Sequence, residues 1–147
     1  MSFKVSTGLR NSMLAVEDFK SSMDLGFLRI YKGAVPASAD DSLGSASLLV
    51  EISVDGLGTG LTFDTPAVSG ILAKAAAETW QGTCSDSGTA TFFRFVQPAD
   101  TGGAVPAELR AQGAVGVVGA ELNLSNVSLT VSSVQTINHF NVALPTL

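Results

Sequence analysis

The chain has 147 residues, the length of one domain, and only 14% of them are charged against a usual share of about 25%. Eight basic residues against thirteen acidic give a net charge of −5 with no basic cluster, which argues against a nucleic-acid partner, because phosphate contacts need Lys and Arg. No run approaches the roughly 20 apolar residues of a membrane span, and MSFKVSTGLRNSML lacks the apolar core of a secretory signal, so neither a membrane partner nor export is expected.

So little charge has two readings: an extensive partner interface, or a fully buried barrel-like core. Fifteen Gly residues, with many Ser and Thr, fit a turn-rich all-β chain. Thr7 to Met23 is the one good helix. Leu9, Met13, Val16, Phe19 and Met23 fall within an arc of about 120° at 100° per residue. Ser6 or Thr7 can cap its start and Gly26 can stop it. This helix either closes one end of a β core or forms an arm, residues 1–26, that docks on a neighbouring subunit. The five apolar residues are then the candidate partner contacts.

Residues 27–147 read as a single β-sandwich domain. Phe27 to Lys32 is the first strand, followed by a polar, Pro-bearing loop to Ala46. Ser47 to Val54 alternates as a half-buried antiparallel strand, with Leu48, Val50, Ile52 and Val54 on one face. Asp55-Gly56 turns the chain. Leu61 to Thr65 is a short strand. Val68 to Ala77 is assigned to strand because isolated short helices are marginal. Glu78 to Val96 reads as two strands around the turn Ser85-Asp86-Ser87-Gly88. Both alternating sets of its second half, Thr89 to Val96, carry Phe, so that strand is expected to be buried on both faces.

A second long loop, 98–108, contains two prolines. Ala111 to Val118 is a Gly-rich strand; with no helix after it, Gly113, Gly116 and Gly119 mark bulges or close packing, not a phosphate loop. Leu122 to Leu124 and Val127 to Val131 are expected to form a hairpin around Ser125-Asn126. Val134 to Leu144 closes the chain, with Val134, Thr136, Phe140, Val142 and Leu144 sharing a face. The whole is all-β: a jelly-roll type β-sandwich of about eight to ten short antiparallel strands with one N-terminal helix.

Chemistry is sparse. His139 is the only histidine and falls on the more polar side of the last strand, with no second His or Cys for a metal and no Ser in a nucleophile motif. Cys84 is the only cysteine and reads as a small buried hydrophobe. Asp40 and Asp41 are adjacent and do not form a glycosidase pair; a calcium ion shared with Asp55, Asp64 or Asp100 matches no loop pattern. The sequons at Asn123 and Asn126 carry no weight without export. Arg94, between Phe93 and Phe95, is either an edge residue with its head in water, or paired with Glu51, Glu78, Asp64 or Glu121, or a ligand contact. Trp80 and Tyr31 are a thin supply of aromatic platforms for a sugar. No catalytic residue, metal site or cofactor is expected, and the chain does not read as an enzyme.

The order of an N-terminal helix, Leu28-Arg29-Ile30-Tyr31-Lys32-Gly33, Pro36-Ala37-Ser38-Ala39-Asp40, Leu48-Leu49-Val50, Phe63, Trp80-Gln81-Gly82, Gly88 to Arg94, Glu121-Leu122-Asn123-Leu124 and Ile137 to Phe140 resembles small virion proteins of tailed bacteriophages. It is most similar to the jelly-roll head cement (decoration) proteins. The resemblance covers most of the chain and rests on strands and turns rather than a site motif. It implies a structural protein made in the bacterial cytoplasm that binds the outer surface of the capsid and clamps major capsid protein subunits. A homodimer suits two-fold positions on a shell, and a trimer suits three-fold positions. A tail or baseplate protein, or a carbohydrate-binding β-sandwich module, are the alternatives.

Overall fold

The structure, a computed structural model, describes residues 3–144. It is mostly β: an eight-stranded sheet, two small two-stranded sheets and two short N-terminal helices. The strands in chain order are β1 (Lys4–Val5), β2 (Phe27–Lys32), β3 (Ser47–Val54), β4 (Ile71–Ala73), β5 (Trp80–Thr83), β6 (Gly88–Thr89), β7 (Phe92–Val96), β8 (Arg110–Gly116), β9 (Leu122–Asn123), β10 (Ser128–Leu129), β11 (Val134–Ile137) and β12 (Asn141–Ala143). The large sheet runs β1-β8-β7-β2-β3-β5-β11, with β9 added in parallel to β8. β10 pairs with β6, and β12 with β4.

The single helix expected over Thr7 to Met23 is two helices, α1 (Thr7–Ala15) and α2 (Phe19–Met23). Each has its own N-cap. Ser6 Oγ accepts from the Leu9 N–H, and the Asp18 carboxylate accepts from the Ser21 N–H at 2.7 Å. Asp18 therefore starts a new helix where periodicity alone continues the old one. Leu25 then takes a left-handed φ of 68°, so the chain turns before Gly26. Gly26 is needed for a different reason: a Cβ there would lie 2.5 Å from the Val96 carbonyl oxygen.

β2 and β3 occupy the expected positions. β3 is half-buried as expected, with Val50 and Ile52 in the core and Glu51 part-exposed on the other face. A bulge between Ile30 and Tyr31 puts both Leu49 and Val50 into the core, while Glu51 stays on the opposite face. β7 is buried along its whole length, as its two aromatic faces require.

The expected pairing of Trp80–Thr83 with the strand after the Ser85–Gly88 turn does not occur. β5 pairs with β3 and β11, whereas β7 pairs with β2 and β8. β9 and β10 likewise join different partners instead of each other. A turn signal fixes where the chain reverses; the partner is set by which faces must be buried. Leu61 to Thr65 makes only isolated bridges, at Leu61 and Phe63. The long last strand is broken between β11 and β12, which lets both Ile137 and Phe140 enter the core despite their opposite parity.

The core lies against one face of the large sheet. Leu28, Ile30, Val50, Ile52, Phe93 and Phe95 rise from that face. Leu9 and Met23 of the helices, Phe63 of the 55–70 link and Phe140 cover it. Phe63 is the hub, with ring centroids 5.4–6.2 Å from Phe19, Trp80, Phe95 and Phe140. Gly113 sits opposite Phe93, where a Cβ would lie 2.7 Å from the ring, so this glycine marks close packing. Among the described residues no helix is long and apolar enough to cross a membrane.

Candidate functional site

The other face of the large sheet carries a polar row, buried at Arg94, Gln112 and Arg110 and part-exposed at its ends, Glu51 and Lys4. Register places Glu51, Arg29, Arg94, Gln112 and Lys4 in one row across β3, β2, β7, β8 and β1. Arg110 stands two residues along β8 on the same face. The loop 33–46 leaves one end of the sheet and the loop 97–109 leaves the other. Both fold back over this row and meet where the Leu43 N–H donates to the Gly102 carbonyl at 2.9 Å.

Arginines hold both loops from beneath. The Arg110 guanidinium, fully buried, pairs with Asp100 through Nε to Oδ2 and through Nη2 to Oδ1 at 2.8 Å. Its Nη1 donates to the Ala39 carbonyl at 3.2 Å, tying the first loop to the second. Arg94, 1% exposed, donates from Nε to Gln112 Oε1 at 2.8 Å, and from Nη2 to the Ser38 and Asp41 carbonyls at 3.2 and 2.9 Å. Gln112 Nε2 continues to the Pro36 carbonyl at 2.8 Å. Arg29 pairs with Glu51 at 2.7 Å and donates to the Asp100 carbonyl at 2.7 Å. Arg29 and Arg94 stand directly opposite each other, an unfavourable placement for like charges. Their forks reach different acceptors, Glu51 and the Asp100 carbonyl for Arg29, and Gln112 with the Ser38 and Asp41 carbonyls for Arg94.

The N-terminal segment is locked to the same layer. Asp40 accepts from Thr7 N–H at 2.8 Å and from Thr7 Oγ1 at 2.7 Å. Ser6 Oγ accepts from Arg110 N–H at 3.0 Å and donates to the Glu108 carbonyl at 2.6 Å. Strand β1 pairs with β8.

Burial pushes the Asp100 carboxyl upward, but the Arg110 bonds, the Gly102 N–H and the Arg110 charge together outweigh it and leave its pKa below the ordinary carboxylate value. Asp40 follows the same pattern: desolvation raises it, and the two Thr7 bonds bring it down. Desolvation also lowers Arg94, with the nearby Arg110 charge acting the same way. A carboxyl with a depressed native pKa adds stability that is present above its unfolded value and lost as pH falls through the native one. Urea midpoints should therefore fall as the solution is acidified below the ordinary Asp range. An Asp100→Asn variant should show a shallower acid slope. A slope identical to wild type would show that Asp100 is not a source of the acid sensitivity.

Arg94 is thus neither an edge residue nor a partner of Glu51, Glu78, Asp64 or Glu121. Glu51 belongs to Arg29, Glu78 accepts from Trp80 and Thr62, Asp64 accepts from Ala76 N–H, and Glu121 accepts from Ala114 N–H. The layer as a whole was signalled only in fragments. A lone Arg in each of two apolar strands, FLRIYK and FFRFV, points to a polar row. Asp100 carries no sequence signal at all, because its role depends on a loop folding back.

Of the five candidate contact residues, Leu9 and Met23 are sealed in the chain's own core, Met13 and Phe19 pack against it half-buried, and Val16 is 80% exposed. The stripe therefore faces mainly inward; Val16 is open, and Met13 and Phe19 keep part of their surface along a groove. Trp80 is fully buried with Nε1 donating to Glu78, and Tyr31 stacks on Phe92 at 5.0 Å, so neither presents a platform to a sugar. Cys84 is buried, and His139 is exposed. Among the described residues no group of His, Cys, Asp and Glu is placed to hold a metal ion. Asp40, Asp41, Asp64 and Asp100 each accept hydrogen bonds from different parts of the chain. No family model, curated protein or solved structure matches the chain.

Proposed function

We propose that this is a structural virion protein, a capsid cement protein that binds the outside of a phage head and clamps adjacent major capsid subunits. The observation that carries the reading is the arginine layer. It uses three arginines to tie two long loops over one sheet face through hydrogen bonds. Fixed loops bind without the ordering cost that mobile loops incur, which suits a clamp. The resemblance of the strand and turn sequence to jelly-roll cement proteins supports the same reading. The protein acts as a homo-oligomer, with loops 33–46 and 97–109 facing the shell.

Immunolabelling of intact particles, with heads and tails resolved by electron microscopy, tests this directly. Label spread over heads is the expected result. Label confined to tails would replace the cement reading with a tail or baseplate role, and particles without label would end the virion reading.

A further inference from the structure

The small sheet of β4 and β12 has one satisfied edge and one open edge. Lys74 N–H donates to the Phe140 carbonyl at 2.9 Å and Leu144 N–H to the Gly70 carbonyl at 3.2 Å. With Val142 opposite Leu72, these bonds fix the alternation of the ladder: Phe140, Val142 and Leu144 point their backbone groups at β4. Asn141 and Ala143 therefore point theirs away from it. On β4 the outward groups are used, since Ala73 accepts from Asp64 N–H and Ile71 exchanges bonds with Val68. On β12 the outward N–H and C=O of Asn141 and Ala143 have no partner among the described residues, and both residues are exposed.

Two hollows flank this edge, the larger of them apolar. A groove of about 430 Å³ is lined by Met13, Phe19, Leu72, Val142 and Leu144. A smaller one of about 190 Å³ lies against β12 between Phe3, Glu121 and Phe140. Protein edges are usually blunted by charge or proline. Here Asn141 to Leu144 are all uncharged, and the groove's two charges are already engaged: Asp18 caps α2 and Lys20 pairs with Asp24. The edges of the large sheet differ, because β1 carries Lys4 and on β11 the Gln135 side chain donates to its own strand at the Thr136 carbonyl.

We infer that the β12 edge is the self-association surface, with a second copy of this chain pairing antiparallel across a two-fold axis at Val142. This takes the homo-oligomer of the proposed function as given and names its contact. An axis at Val142 sets Asn141 opposite Ala143 of the second copy, so the open donors and acceptors on each strand meet those on the other. Such pairing is self-complementary, as an isologous interface must be. The paired strand itself, Asn141 to Leu144, carries no charge, so two chains of net charge −5 meet without like charges in the ladder. The same register sets Leu144, 71% exposed, opposite Phe140 of the second copy.

Light scattering on size-exclusion fractions of the purified full chain should show a dimer. Asn141→Lys, which puts like charges beside the axis, should weaken dimerisation at least tenfold while leaving the circular dichroism unchanged. Val142→Cys should form a disulfide-linked dimer under oxidation, because side chains of a non-hydrogen-bonded pair approach closely; Val68→Cys, off the axis, should not. A monomeric wild type, or a dimer indifferent to Asn141→Lys with Val142→Cys uncrosslinked, overturns the inference. A monomeric wild type would also remove the homo-oligomer from the proposed function, whereas a dimer indifferent to these changes overturns only the contact; the place on the particle is decided separately by the labelling.

Discussion

Asp100→Ala should lower the unfolding free energy by about 3–5 kcal/mol in urea titrations followed by circular dichroism. The size follows from what remains. Arg110 is fully buried, and its two bonds to Asp100 are its only contact with a carboxylate among the described residues. With Asp100 removed, a guanidinium stays out of water against one carbonyl, that of Ala39. Gly102 N–H loses its acceptor as well. Adding Arg110→Met removes the stranded charge and fills much of the same volume with apolar atoms. The double variant should therefore recover part of the loss, with a coupling energy toward the upper end of about 0.5–3 kcal/mol. Strict additivity of the two single changes would mean the pair contributes nothing as a pair, and the arginine layer would lose its role as the loop anchor.

The parts of the fold that local sequence controls were legible, and those that depend on distant partners were not. β2 and β3 sit where alternation and bounding turns place them. The double burial of β7 followed from aromatics at both parities. The hairpins expected around Ser85–Gly88 and Ser125-Asn126 failed for one reason. A tight turn is compatible both with a hairpin and with a strand that leaves to pair elsewhere, and Trp80 leaves because it must join Phe63, Phe95 and Phe140. Ile137 and Phe140 show the same limit, since a short break in the chain changes parity and turns both inward. The polar layer was visible as one odd residue, Arg94. Its cross-strand neighbours Arg29 and Gln112 become neighbours only once the order β2-β7-β8 is known.

Removing residues 1–23 should abolish cooperative thermal unfolding rather than merely detach an arm. The segment supplies Leu9 and Met23, both fully buried in the common core, and strand β1 at the edge of the large sheet. It also supplies Ser6, which bonds Arg110 N–H and the Glu108 carbonyl. Leu9→Ala alone should cost about 2–5 kcal/mol. A whole domain has only about 5–15 kcal/mol to lose. A truncated chain that fails to bind particles would thus report unfolding, not a lost contact. The informative variant is Val16→Asp, because Val16 is the one residue of the stripe that is mostly exposed. It should leave the melting curve in place, within about 0.5 kcal/mol. Any loss of particle binding by that variant then belongs to the surface at the α1–α2 junction. Unchanged binding would leave loops 33–46 and 97–109 as the contact. A truncated chain that still melts cooperatively near the full-length temperature would show the opposite of what the packing requires, namely that the sheet stands without its helices.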